Sequence, residues 1–243
     1  VTFIDVGQGD SILIEGPMGV QVLVDAGPDS SAVRALGSHL PFFDRTLDAI
    51  VLTHPAQDHI GGAVDILDRY NVENIIEPSI ANDTRAWVAT VEAVEDEVQG
   101  GARHFGARAG QRLTLGGGAY ADILFPTRDV TNVKDTNAGS VVMRVVYGDT
   151  AFVLTGDLPS KEEQELFLQW GYGLDADVLK AGHHGSKTSS SADFVQSVSP
   201  AYVVYSRGCD NRYGHPAPSV VSFFESLRVI ALYTCVSGDI TFT

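Results

Sequence analysis

Leu47-Asp48-Ala49-Ile50-Val51-Leu52-Thr53-His54-Pro55-Ala56-Gln57-Asp58-His59-Ile60-Gly61-Gly62 is the stretch on which the fold turns. Leu47 to Thr53 is a nearly continuous apolar run of the kind that forms a strand buried on both faces. It ends in His54, and after the two glycines Ala63 to Tyr70 reads as a helix. A strand that stops at a histidine delivers that side chain to the rim of a sheet, where loops converge and a ligand can enter. Imidazole suits Zn²⁺, Mn²⁺ or Fe²⁺, and a nearby carboxylate binds the ion or orients a water. His54, Asp58 and His59 therefore read as metal-binding candidates. The alternative is a polar loop capping the following helix, with Asp58 and His59 near its N-terminus.

Working outward, short β-branched or apolar runs at Val1 to Val6, Ser11 to Glu15 and Val20 to Asp25 are punctuated by Gly7, Gly9, Gly16 and Pro17. Helices are expected at Ser31 to Leu40 and Thr84 to Val98, with a strand at Val72 to Ile76 between them. Ser140 to Tyr147 and Thr150 to Thr155 read as a hairpin turned by Gly148 and Asp149. Ser160 and Glu163 have capping-box spacing and predict a helix through Gln169. The last third alternates: strands at Asp177 to Ala181, Ala201 to Tyr205 and Val229 to Thr234, helices at Ala192 to Val198 and Ser219 to Leu227. Early strands followed by regular alternation predict an α/β or α+β domain over residues 1–243.

Five of the seven histidines fall at predicted strand ends beside Asp or Gly: His54, His59, His183, His184 and His215. Leu154-Thr155-Gly156-Asp157 closes an apolar strand with a carboxylate, which reads either as a bridge between metal ions or as a helix cap. Lys180-Ala181-Gly182-His183-His184-Gly185-Ser186 ends the next strand, and Asn211-Arg212-Tyr213-Gly214-His215-Pro216 follows a third. His39 and His104 stand outside these clusters and read as surface or core-edge residues. Lys180, Ser186, Lys187, Ser189 and Arg212 flank the histidines and offer the cationic and hydroxyl donors that a phosphate requires.

The formal charge is −15, from 31 acidic and 16 basic residues, so long-range electrostatics alone do not favour a nucleic acid. With 44% apolar residues the chain can bury a sizeable core. No apolar run reaches the length of a membrane span, and none has the layout of a signal peptide. The chain starts at Val1, inside an apparent strand and without a methionine, so it is expected to be a piece of a longer protein. Cys209 and Cys235 lack C-x-x-C spacing; a disulfide between them and two free thiols both stay open.

The run Asp5-Val6-Gly7-Gln8-Gly9-Asp10, then Asp25-Ala26-Gly27, the His54–His59 segment, Thr155-Gly156-Asp157, His183-His184-Gly185-Ser186 and Tyr213-Gly214-His215-Pro216 occur in one order along the chain. In that order they resemble the metallo-β-lactamase superfamily, and within it the C-terminal hydrolase domain of the ComEC DNA-uptake (competence) family. The resemblance implies a four-layered αββα sandwich with one or two Zn²⁺ or Mn²⁺ ions at a rim between two sheets. It also implies phosphodiester hydrolysis, with single-stranded DNA as partner: a nuclease domain that degrades the strand not imported. Such a domain would sit at the extracytoplasmic face of the membrane, attached to a channel portion.

By the same resemblance, His54, Asp58 and His59 match an HxHxDH signature, Asp157 the bridging aspartate, and His183 or His184 the last ligand, with a lean to His183. Two departures matter. Ala56 replaces the second histidine of the signature, and Asn137 and Ser140 occupy the stretch where a further histidine often stands. One ion is therefore expected to be well held and the second weak. Asp58 is expected to orient the attacking hydroxide or ligate the metal, His215 to ligate or act as acid, and Lys180 to stabilise charge. Two alternatives remain: a secreted phosphodiesterase acting on a phosphocholine or cell-wall diester, and a degenerate domain that binds DNA or a channel without catalysis.

Overall fold

The computed structural model describes residues 1–243. Its strands alternate with period two, so each sheet presents one apolar set to the other sheet and one to a helical layer. In the first sheet Ile12, Ile14, Val22, Val24, Ala49 and Val51 face inward, and the interleaved Leu13, Leu23 and Ile50 face outward. In the second, Met143, Val145, Phe152 and Leu154 meet them across the interior, while Val142, Val153 and Leu179 face away. The first outer face packs on Ala32, Leu36, Ile66, Trp87 and Val94 of the early helices. The second packs on Leu166, Phe194, Val195, Val220 and Phe224 of the late ones. The result is an αββα sandwich.

The first sheet runs Ile240–Thr241, Thr2–Phe3, Ile12–Glu15, Gln21–Val24, Ala49–Val51, Asn74–Glu77, Arg103–Gly106. It is antiparallel up to Gln21–Val24 and parallel beyond. The second runs Ile230–Tyr233, Tyr202–Tyr205, Val178–Lys180, Thr150–Leu154, Val142–Tyr147, Ala119–Phe125, Arg112–Gly116. Its first four strands are parallel and the rest antiparallel. In each sheet, a block of parallel strands ends in the loops that carry the candidate residues. Such carboxyl ends are where open α/β sheets bind ligands.

Several expectations need correction. The Leu47 to Thr53 run is not one strand. Thr46–Leu47 pairs with Asn71–Val72 in a small separate sheet, and Ala49–Val51 joins the main one. The break falls at Asp48, whose carboxylate accepts the Gln21 backbone N–H at 2.7 Å. The helix at Ser160–Trp170 forms, but not through a capping box. Ser160 donates its hydroxyl to the Thr188 carbonyl, and the buried Glu163 accepts the backbone N–H groups of Ser190 and Ser191, both at 2.7 Å. Three strands, Arg103–Gly106, Arg112–Gly116 and Ala119–Phe125, were not expected at all. A disulfide joins Cys209 to Cys235. No helix is long and apolar enough to cross a membrane.

Candidate metal centre

Five strand ends converge here. Gln21–Val24 leads to Asp25, Ala49–Val51 to Thr53 and His54, and Thr150–Leu154 to Asp157. Val178–Lys180 leads to His183 and His184, and Tyr202–Tyr205 to Ser206. The loops are tied to one another through their backbones. Asp10 N donates to Asp58 O at 3.2 Å, Ala26 N to His59 O at 2.7 Å, and Gly27 N to Asp10 O at 2.8 Å. Gly9 allows this approach, because a Cβ there would stand 2.1 Å from the Asp58 carbonyl oxygen. Asp25, His183 and His184 hold left-handed backbone with φ of 59°, 50° and 55°, a conformation that costs non-glycine residues energy and clusters at functional sites.

Hydrogen bonds fix which ring nitrogen of each histidine faces the cleft. His59 Nδ1 lies 2.7 Å from Asp25 Oδ2, and Thr53 anchors that carboxylate with its backbone N–H and its hydroxyl, each at 2.7 Å. His184 Nδ1 donates to the Ser206 carbonyl at 2.8 Å. Both rings therefore carry a proton on Nδ1 and turn Nε2 inward; an outer acceptor on Nδ1 fixes the ring in the orientation that presents an imidazole to a metal. The inward atoms meet carboxylates: His59 Nε2 to Asp157 Oδ1 3.2 Å, His184 Nε2 to Asp157 Oδ1 3.5 Å, and His184 Nε2 to Asp58 Oδ2 3.3 Å. Ligands about 2.1 Å from one tetrahedral ion lie about 3.4 Å apart, so this spacing fits a metal. His54, His59 and His184 each have a buried Nε2 without a hydrogen-bond partner, the nitrogen that an ion would engage.

Against this geometry stand the comparisons. The sequence model of the metallo-β-lactamase superfamily matches residues 4–208. The chain belongs to the metallo-β-lactamase superfamily. Along its whole length it is similar to ComEC-family proteins: 31% identical to "ComE operon protein 3" of Bacillus subtilis and 35% identical to "Competence protein ComA" of Neisseria gonorrhoeae. It spans 32% of each, about a third of the length of these curated relatives. Among solved structures, the diiron β-hydroxylase CmlA of Streptomyces venezuelae aligns with 99% of this chain and 53% of its own at a TM-score of 0.64 and 14% identity. The metallo hydrolase Igni18 of Ignicoccus hospitalis aligns over 100% of both chains at a TM-score of 0.57 and 17% identity. These two carry the fold and nothing more.

In this metallo-β-lactamase-superfamily chain, Asp10, His59, Asp157 and His184 each bring one ligand atom within 4.8 Å of the others, and all four are buried. Asp10, however, lies on the Nδ1 side of both rings, 3.7 Å from His59 and 3.5 Å from His184. Its other partner is the Lys180 ammonium at 2.6 Å. That position orients the imidazoles and neutralises Lys180; it does not share the Nε2 face. On the Nε2 side, Asp157 Oδ1 meets His59 and His184, and Asp58 meets His184. The second Asp157 oxygen looks elsewhere, to His183 Nε2 at 3.4 Å and His54 Nε2 at 3.9 Å. The two neighbouring histidines thus face different oxygens; the lean to His183 as the last ligand rested on its directly following the strand, and it is His184 that shares Oδ1 with His59.

Charge follows from this packing. Burial opposes an imidazolium at His184, but Asp157 and Asp10 outweigh it and push its pKa up to about 9. His59 is raised further by Asp157 and Asp25, again against burial. Burial would likewise raise Asp157 and Asp10, yet the surrounding cations hold both carboxyls well below their usual range. His54 has no such support: burial, then His59, lowers it to about 3, and it stays neutral. Without an ion His59 and His184 keep their protons beside ionised Asp10 and Asp157, and a divalent cation would displace those protons.

The remaining expected residues are spread around this core. Lys180 is 0% exposed, its ammonium donating to the Gly156 carbonyl at 2.7 Å and pairing with Asp10, so it lies behind the ligands, away from solvent. Ser186 and Ser189 are buried, with hydroxyls held by Thr188 and by the Leu158 carbonyl. Lys187 and Arg212 are exposed. His215 stands at the rim, its ring centroid 5.5 Å from that of His183. His39 and His104 pair with Asp239 and Glu77, away from the centre. Sequence reasoning passed over Asp10, Asp25, Thr53 and Ser206 as site residues. For Asp25 a signal existed: like Asp157, it is a carboxylate closing an apolar strand.

Proposed function

We propose that this chain is a divalent-metal-dependent phosphodiesterase acting on DNA, the nuclease part of a DNA-uptake protein. One observation carries the reading: unpartnered imidazole nitrogens of His54, His59 and His184 ring the Asp157 carboxylate at the strand ends. Asp58, His59, Asp157 and His184 would hold the principal Zn²⁺ or Mn²⁺. His54 and His183, on the second Asp157 oxygen, offer a poorer second position, since Ala56 supplies no ligand. A divalent ion held there lowers the pKa of bound water and takes up charge on phosphoryl oxygens.

The chain's own groups do the rest. Asp58 is the most open carboxylate of the set, its side chain 29% exposed, and faces the incoming water and phosphate. Arg212, near enough to feel the Asp58 carboxylate, brings positive charge to the mouth of an otherwise acidic protein, and Lys187 is an exposed cation in the loop after the His183–His184 pair. His215 stands beside His183 at the rim. Its pKa is lowered by burial and by His183, so at physiological pH it is a neutral imidazole that would hydrogen-bond the substrate or accept a proton there. Similarity to "Competence protein ComA" supports DNA as substrate and a place within a longer membrane protein. The Cys209–Cys235 disulfide supports an extracytoplasmic setting, where such bonds persist.

The test is incubation of the purified chain with single-stranded DNA, duplex DNA and bis(p-nitrophenyl) phosphate in Mn²⁺ or Zn²⁺, with Asp157→Asn as control. Metal-dependent DNA cleavage lost in Asp157→Asn supports the proposal. Cleavage of the small diester alone assigns a different phosphodiester substrate. Tight metal binding with neither activity assigns a non-catalytic DNA-binding or structural role.

A further inference from the structure

We infer that Tyr213 forms a nucleobase-stacking subsite beside the metal centre, with Arg212 gripping the adjoining phosphate; this rests on the DNA reading above. A row of aromatic rings leads out of the buried site. Centroid distances are 5.2 Å from His59 to His184, 6.0 Å on to His183, 5.5 Å to His215 and 5.7 Å to Tyr213. The last pair is stacked, with planes 24° apart. The row begins fully buried and ends in a tyrosine that is 53% exposed. Histidines at the inner end are explained by metal binding; Tyr213 is not. What sets Tyr213 apart from other exposed rings is its place at the outer end of this row, next to the site, where the flat face of a nucleobase is suited to stack on it.

The loop is built to hold that ring still. Asn211 clasps it, its Nδ2 donating to the carbonyls of Gly208 at 2.8 Å and His215 at 2.7 Å, and its Oδ1 accepting the His215 N–H at 2.9 Å. Gly214, at φ of 69°, makes the turn that brings Tyr213 and His215 onto one side. The Cys209–Cys235 bond ties the loop to the segment after Ile230–Tyr233. Arg212 lies alongside, its guanidinium carbon 5.0 Å from the Tyr213 centroid and one nitrogen bonded to the tyrosine hydroxyl at 2.8 Å. An aromatic platform beside an arginine, leading from a phosphodiester site, is the pairing used to hold single strands without reading sequence. His183, in the same row, is 3.4 Å from Asp157, so the stacked base belongs to a nucleotide close to the scissile phosphate.

The experiment uses the 243-residue chain, a fluorescent oligothymidine, and the same backbone with every base removed. Kd is measured by anisotropy without divalent ions, and kcat and KM with Mn²⁺. The wild-type chain should bind the base-bearing strand about 5- to 100-fold more tightly than the abasic one, the range base stacking supplies. Tyr213→Ala should lose that preference with little further loss on the abasic strand, raising KM more than kcat, and Tyr213→Phe should keep most of it. Equal affinity of the wild type for both strands, or an equal penalty from Tyr213→Ala on both, overturns the subsite. Failure of the nuclease reading looks different: no cleavage by wild type, yet a base preference that depends on Tyr213.

Discussion

Stripping divalent ions from this protein should leave a fold whose stability falls as pH rises from neutral to about 9.5. The cause is His184. In the folded chain Asp157 and Asp10 hold its imidazolium to about pH 9, against about 6.5 when unfolded. Below the lower value both states carry the proton. Between the two, only the folded state does, and the stabilisation disappears as pH passes through the higher value. A gap of about 2.5 pH units corresponds to about 3 kcal/mol. His59, raised by Asp157 and Asp25, adds in the same direction. The assay is urea unfolding of the EDTA-treated chain, followed by tryptophan fluorescence at fixed ionic strength. It starts at pH 7 because Glu163, pushed up to about 7 by burial, ionises in the folded chain as pH rises to that value, and its own fall in stability lies mostly below the window. A loss of about 2–3 kcal/mol by pH 9.5 is expected, with a much flatter curve in saturating Mn²⁺, where the ion supplies the positive charge. Stability of the stripped chain that stays level or rises across this window would refute the reasoning.

Other consequences follow from the same geometry. Metal affinity, measured by calorimetry in buffers of different ionisation enthalpy, should rise from pH 7 to 9 with proton release, because His59 and His184 must shed protons to ligate. Lys180→Met removes the only lysine paired with Asp10 and should destabilise the metal-free chain by about 3–5 kcal/mol in denaturant titration, the usual loss when one partner of a buried pair is removed. Gly9→Ala forces the Asp58 carbonyl aside and should lower metal affinity about tenfold or more, read by competition with a chelating dye. His54→Ala should leave the first equivalent of metal in place and remove the second, weaker one, counted by elemental analysis of equilibrium-dialysed protein.

The sequence made some of this legible and hid the rest for physical reasons. His54, Asp58 and His59 stood out because they cluster within six residues after one buried strand, His54 just past its end and the other two on the short helix Gln57–Ile60. Short apolar runs at Ile12–Glu15 and Gln21–Val24 marked strands, though not the layer order, because both faces of these strands are buried and no polar alternation shows. Arg103–Gly106 did not, since it is an edge strand with every residue exposed and no apolar face to repeat. Arg112–Gly116 and Ala119–Phe125 are joined through Gly116, Gly117 and Gly118, all at positive φ, which read as loop punctuation and concealed a hairpin. Ser160 and Glu163 had the spacing of a local cap, but Glu163 is used at long range by Ser190 and Ser191. The order of His183 and His184 was beyond reach because it depends on left-handed backbone at both, which spacing does not encode. Asp10 and Asp25 act from behind the histidines, where only the folded arrangement reveals a partner.

The central claim is that Asp58, His59, Asp157 and His184 meet around one divalent cation. An anomalous difference map from crystals grown with Mn²⁺ measures this directly. Its strongest peak should lie within bonding distance of Asp157 Oδ1 and of Nε2 of both His59 and His184, with Asp58 as the fourth protein ligand. A strongest peak elsewhere in the molecule, or none at full Mn²⁺ occupancy of the buffer, would contradict it.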